Sequence, residues 1–261
     1  MNRGLRTRWR AAFALLLCVC AVAHAEDSDE PTATPYRPTI SNPADLPVPG
    51  WLELELGGLR VFGVEDTRQD TAPWLLKYAF DENSGLLLGG NAFDRVTATT
   101  GRSQSGIGDT LLEWKQRFPV RDGMAFGFEV GIQAPTAPGT VGIGKPAYLV
   151  NGIYSVDLGT AHLDINLGGT HFTTHTPGAS LWQSAWAAAW SRPITDRFGG
   201  AVEISGTAQR GAGHSHQALV AVNCNLSRRI VFDTGVALGL DHAAHDRSVF
   251  VGGTFLLDKL R

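Results

Sequence analysis

Lysine is scarce. The 261 residues hold four, Lys77, Lys115, Lys145 and Lys259, whereas a soluble domain spreads many lysines over its wetted surface. Cysteine is scarcer still, at three, which excludes a disulfide scaffold. An apolar content of 43% excludes disorder, and the 31 glycines follow no collagen period. Once the first 25 residues are set aside, eighteen basic face twenty-five acidic side chains, a balance of −7 that argues against a nucleic-acid partner. After Trp51 no stretch sustains a period of 3.6, so no amphipathic helix is available to cover an open sheet.

Long apolar runs are absent but for one. Residues 11–22 follow Arg3, Arg6, Arg8 and Arg10 and precede Ala23-His24-Ala25, so residues 1–25 read as a cleaved secretory signal. The run is shorter than the ~20 residues of a spanning helix. Cys18 and Cys20 leave with it, so the mature chain is expected to carry Cys224 alone and no internal disulfide. Residues 26–50 begin acidic and hold six prolines, which neither helix nor ladder tolerates. The expectation is an extended or disordered periplasmic leader, with a lumen plug as the alternative.

What is present is alternation. Along 110–118, Leu112, Trp114 and Phe118 share one face and Glu113, Lys115 and Arg117 the other. The same rule gives twelve strands, at 51–59, 72–80, 85–93, 108–118, 124–133, 147–157, 161–170, 180–191, 198–208, 216–226, 230–240 and 248–257. Most are as long as a tilted strand needs to cross a bilayer. Tight turns at 81–84, 119–123, 158–160, 192–197 and 227–229 alternate with longer connections at 60–71, 94–107, 134–146, 171–179, 209–215 and 241–247. Short turns on one side and long loops on the other is the pattern of an outer-membrane barrel, and an even strand count puts both termini on the turn side.

A secreted β-sandwich alternates in the same way but packs its apolar face inward. Three features favour lipid. The polar face is rich in Gly, Ala, Ser, Asn and acids; aromatics such as Trp51, Trp74, Phe80, Phe118, Tyr148, Trp182, Trp190 and Phe198 gather near strand ends; and many large apolar side chains point one way. The fold class is all-β, a closed antiparallel up-and-down transmembrane barrel of about twelve strands spanning 51–261.

The segment Ser105-Gly106-Ile107-Gly108-Asp109 resembles the Gly-x-Gly-Asp motif of the outer-membrane transporter-like family named for the MetA pathway of phenol degradation. Arg37-Pro38, Val48-Pro49-Gly50, the run from Pro73 to Tyr78, Ala134-Pro135-Thr136 and the run from Tyr154 to Leu158 are similar to that family's segments at corresponding places. The resemblance implies a Gram-negative outer-membrane barrel that passes small molecules, aromatic and hydrophobic ones among them. Such barrels usually end on an aromatic residue used in assembly; here Phe255 is followed by six further residues. On physical grounds Gly106 and Gly108 let the chain turn tightly at a strand start, and Asp109 accepts backbone N–H bonds there.

The inward face is expected to carry Glu53, Glu55, Lys77, Glu113, Lys115, Arg117, Glu129, Asp157, Asp164, Glu203 and Asp233. In a narrow bore these either select solutes or brace the wall, and the excess of acids points to a modest cation preference. The pairs His171/His175, His214/His216 and His242/His245 fall in or beside consecutive long connections, where they are candidates for a divalent-metal site. No Gly-x-Ser-x-Gly elbow, Walker loop or dinucleotide fingerprint occurs, the lipid-facing positions offer no nucleophile, and His162 faces the lumen. The expected protein is not an enzyme and needs no cofactor. Its partners are a small-molecule solute, outer-membrane lipid, and the periplasmic chaperones and barrel-assembly machinery met during biogenesis. The expected function is passive passage across the outer membrane; the alternative is a non-conducting surface protein whose histidine-bearing loops bind a metal or partner.

Overall fold

A computed structural model describes residues 30–63, 67–138, 141–174, 177–241 and 247–260. Residues 1–25, read above as a signal, and His175, His242 and His245 lie outside the described residues. The chain forms β1 (Trp51–Phe62), β2 (Arg68–Ala79), β3 (Ser84–Thr97), β4 (Ser103–Gly106), β5 (Thr110–Arg121), β6 (Met124–Ala134), β7 (Ala147–Leu158), β8 (Ala161–Phe172), β9 (Trp182–Pro193), β10 (Phe198–Gln209), β11 (Gly213–Ser227), β12 (Ile230–Gly239) and β13 (Arg247–Lys259). The strands pair antiparallel in chain order, and β1 pairs with β13 through Glu55↔Thr254 and Leu59↔Phe250, which closes the sheet on itself. β4 pairs only with the overhang of β3, over Asp94–Thr97, while β5 joins β3 lower down at Ser84–Gly90. Twelve strands therefore make the wall, and closure leaves no wall strand with an unpaired edge.

Two of the tight turns rest on glycine. Gly123 and Gly159 have φ of 68° and 69° in two-residue connections, a conformation that a side chain resists. On the opposite, loop side the connections are shorter than the sequence suggests. Residues 60–71 contribute to strands up to Phe62 and from Arg68, and 209–215 shrinks to a three-residue turn between Gln209 and Gly213. Apolar alternation stops where the outward face leaves the apolar belt, but the hydrogen-bonded ladder continues past it.

Outward positions are apolar and exposed around the wall: Leu56, Leu88, Leu112, Val130, Val150, Leu167, Val202, Val220, Val236 and Val251. Inward positions on the same strands hold the buried Glu53, Glu55, Lys77, Glu113, Lys115, Glu129, Asp164, Glu203 and Asp233. A sandwich in water would reverse this order, because burying apolar area is what stabilises it. Near the turn-side ends, aromatic rings pack on the outward face, Phe80 on Trp114 at 5.7 Å and Phe126 on Tyr154 at 5.2 Å. Cys224, the one cysteine among the described residues, is buried on β11.

Candidate functional site

The polar interior has an occupant. Residues 30–50 form neither helix nor strand, and their backbone groups pair with side chains of the wall. Thr34 N donates to Glu53 Oε2 at 2.8 Å and Tyr36 N to Glu55 Oε1 at 2.7 Å. Ile40 N and Ser41 N both donate to Glu203 Oε2, at 2.9 and 2.8 Å. Asn42 N donates to Asn166 Oδ1, and Ala44 N to Ser155 Oγ. Prolines remove donors from this segment, so a ladder could not satisfy it; isolated carboxylates at scattered heights can.

Tyr36 is the centre of this arrangement. Its ring lies between two ammonium groups, Lys77 Nζ at 3.8 Å and Lys115 Nζ at 3.9 Å from the centroid, and its hydroxyl donates to Asp45 O at 2.8 Å. Both lysines are fully buried. Lys77 bridges Glu53 and Glu55, each at 2.6 Å, and donates to Thr34 O; Lys115 bonds Glu129 at 3.0 Å and donates to Pro43 O. Desolvated ammonium groups over a ring are attracted by about 2 kcal/mol or more, against about 0.5–1 kcal/mol for exposed ones.

Arg37 makes the second anchor. Its Nε and Nη2 donate to the two oxygens of Asp233, both at 3.0 Å, in the fork geometry that suits a carboxylate. The wall leaves room for the guanidinium by omission: a Cβ on Gly252 would stand 2.4 Å from Arg37 Nε, and one on Gly57 would stand 2.7 Å from its Nη1. Arg117 pairs with Asp45 at 2.8 Å, this time half-exposed.

The inward charges are thus found where alternation put them, but most face the leader instead of an empty channel. Glu129 also receives Asn42 Nδ2 and Asn151 Nδ2, and Asp164 receives Ser155 Oγ. His162 faces inward with both ring nitrogens engaged, by Asp157 at 2.6 Å and Asp164 at 3.1 Å. What alternation could not supply is the leader's own contribution, Tyr36, Arg37, Asn42 and Asp45; one aromatic and one arginine inside an otherwise Pro-rich stretch was the available signal. A cavity of about 550 Å³ remains at the turn side, lined by His162, Ser191, Phe198, Gly199 and Asn223 among others.

Gly106, Gly108 and Asp109 lie away from this assembly, on the loop side. Gly108 N donates to Asn91 O at 2.8 Å, and a Cβ there would stand 2.7 Å from Asn91 Cβ. Asp109 accepts the backbone N–H of Ala137 at 3.0 Å and of Ile143 at 2.7 Å, which ties down the connection from β6 to β7. Of the histidines, His171 packs edge-on against Trp182 at 5.0 Å, whereas His214 and His216 stand together on β11 beside Asp241.

The barrel is similar in fold to solved outer-membrane proteins. An outer-membrane channel from Pseudomonas putida F1 superposes with a TM-score of 0.66 at 12% identity, over 90% of this chain and all of that one. The NanC porin gives 0.59 at 9% identity over 79% of this chain and 100% of its own, and the KdgM porin, solved with disordered oligogalacturonate, 0.55 at 7% over 79% and 99%. No family model and no curated protein matches the chain. Among barrels this distant in sequence, what is shared is the closed antiparallel wall.

Proposed function

We propose that the chain is an outer-membrane channel for passive uptake of small solutes, aromatic and hydrophobic ones among them, and that residues 30–50 hold its bore closed or narrowed. Export by residues 1–25 and insertion by the barrel-assembly machinery belong to the same reading. The observation that carries it is the leader itself, seated across the bore on Glu53, Glu55, Lys77, Lys115, Glu129, Glu203 and Asp233. An exposed apolar belt around the outside supports the membrane location. The cage of Lys77 and Lys115 around the Tyr36 ring supports aromatic solutes, since a surface that accepts one phenol ring accepts another of its size when the leader withdraws. The resemblance to the MetA-pathway transporter-like family points the same way. With the leader in place the acids are engaged, so a cation preference belongs to the leader-free bore.

Liposome swelling tests this with the mature chain, a variant lacking residues 31–49, and Tyr36→Ala/Arg37→Ala. Swelling in sugars and in aromatic solutes of similar size should be slow for the mature chain and rise in both variants, with aromatics favoured. Folded variants that stay tight to every solute would support the second reading, a non-conducting surface protein, which the filled bore also suits.

A further inference from the structure

Outside the bore, a cluster of ligating side chains stands on the loop-side rim. Alternation along β11 puts residues 214, 216, 218 and 220 on one face; Val220 is 56% exposed there, whereas Leu219 and Ala221 are buried, so His214 and His216 project outward. His216 lies six residues beyond Val222, near the middle of the apolar stripe. At about 3.3 Å per residue and a tilt of about 40°, that is about 15 Å along the barrel axis, against a belt half-height of about 12 Å. The pair therefore sits at the level where hydrocarbon gives way to headgroups and water.

The His216 ring is held from several directions. Its Nδ1 stands 2.6 Å from Asp241 Oδ2, which also accepts the backbone N–H of His216 at 3.0 Å. Trp186 packs beside it at 6.0 Å over the bare backbone of Gly206, where a Cβ would come within 2.6 Å of His216 Cδ2 and 2.9 Å of Trp186 Nε1. The His214 ring is 5.3 Å away, and one ligand atom from each of His214, His216 and Asp241 lies within 4.8 Å of the others.

We propose that His214, His216 and Asp241 form a binding site for a divalent transition-metal ion of the zinc class on the outer rim of the barrel. Two imidazoles and one carboxylate are a zinc donor set, and three protein ligands leave one position open. A His-x-His pair on a strand aims both rings to one side, and modest side-chain rotations bring three atoms already this close to the roughly 2.0–2.2 Å that zinc takes. The bond between His216 and Asp241 already holds these two donor groups side by side. His214 also lines a groove of about 570 Å³ with Trp182, Ser184, Ala208 and Arg210 among others, wide enough for a water or an anionic group of the surrounding lipid.

Equilibrium dialysis of tag-free, detergent-folded protein against zinc tests the site, with cobalt absorption as a second readout of imidazole ligation. One zinc per chain should be retained at micromolar concentration. His214→Gln, His216→Ala and Asp241→Asn should each weaken retention by about tenfold or more, while His171→Ala leaves it unchanged. His214 is exposed, so His214→Gln keeps the proposal testable if His216→Ala fails to fold. Wild-type protein that retains no zinc in the micromolar range, or a folded His214→Gln that retains it with unchanged affinity, overturns the proposal.

Discussion

Two parts of the bore are built on different principles. Where the leader crosses, the wall offers charges that are almost wholly buried, Glu53, Lys77, Lys115, Glu129 and Asp233, and each meets a group of the leader or a neighbour of opposite sign. Along the inward faces of β9 and β11 it offers small or apolar side chains, Ala187, Ala189, Leu219 and Ala221, and the turn-side cavity opens where these strands end. A charge facing an open channel would keep its water. These have given it up, which costs several kcal/mol per ion unless a partner replaces it. The charged zone is therefore complementary to a polypeptide, whereas the small-residue zone is closed by apolar packing, Leu219 and Ala221 against Ala237 and Phe250.

Removing residues 31–49 should break this contrast most severely, because it strips partners from Glu53, Glu55, Lys77, Glu129, Glu203 and Asp233 together. The expected result is a large drop in the temperature at which the folded, fast-migrating gel form is lost, together with a conductance the mature chain lacks. Next in size is Lys77→Met, which leaves Glu53 and Glu55 side by side in a buried site without their cation. The expected cost is about 3–5 kcal/mol in urea unfolding from liposomes, the usual range for breaking a buried pair. Arg37→Ala leaves Asp233 without its bidentate partner and should cost about 2–4 kcal/mol, less than Lys77→Met because Arg37 is partly exposed. Gly252→Ala should reproduce much of that loss, since its Cβ takes the space of the guanidinium. The double variant should then cost clearly less than the two singles added, as coupled sites do.

The wall was legible in the sequence because one physical rule governs it: inward and outward environments differ, so strands such as 124–134 and 161–172 alternate along most of their length. Where the rule lapses, so does the reading. β4 was hidden in a connection because its four residues, Ser103–Gly106, carry no apolar alternation. The start of β11, Gly213–Ser215, read as loop because His214 occupies an outward position above the apolar belt. The leader's path was not legible, since it is fixed by single contacts between residues far apart, such as Arg37 with Asp233 and Ile40 with Glu203, and no local period records them. Gly57 and Gly252 were invisible for the same reason: their role is the absence of a side chain opposite a particular arginine.

Smaller effects belong at the barrel ends, where water is a competent partner. Arg117→Gln, at the half-exposed pair with Asp45, should cost no more than about 1 kcal/mol. Smaller again is the turn from β2 to β3. There Asp81 Oδ1 accepts the N–H of Asn83 at 2.7 Å and of Ser84 at 2.8 Å, and Oδ2 accepts the Ser84 hydroxyl at 2.8 Å. Those bonds, the Asn83 N–H first and the Ser84 hydroxyl next, hold the carboxyl below its ordinary pKa. A carboxyl depressed in the folded state stabilises fully above its unfolded pKa, and the stabilisation fades as pH falls through the folded value. Asp81→Ala should therefore lower stability slightly at neutral pH and converge with wild type in acid. Urea midpoints at neutral and acidic pH compare the two, and an Asp81→Ala deficit that persists undiminished in acid would assign the turn's stability to something other than this carboxylate.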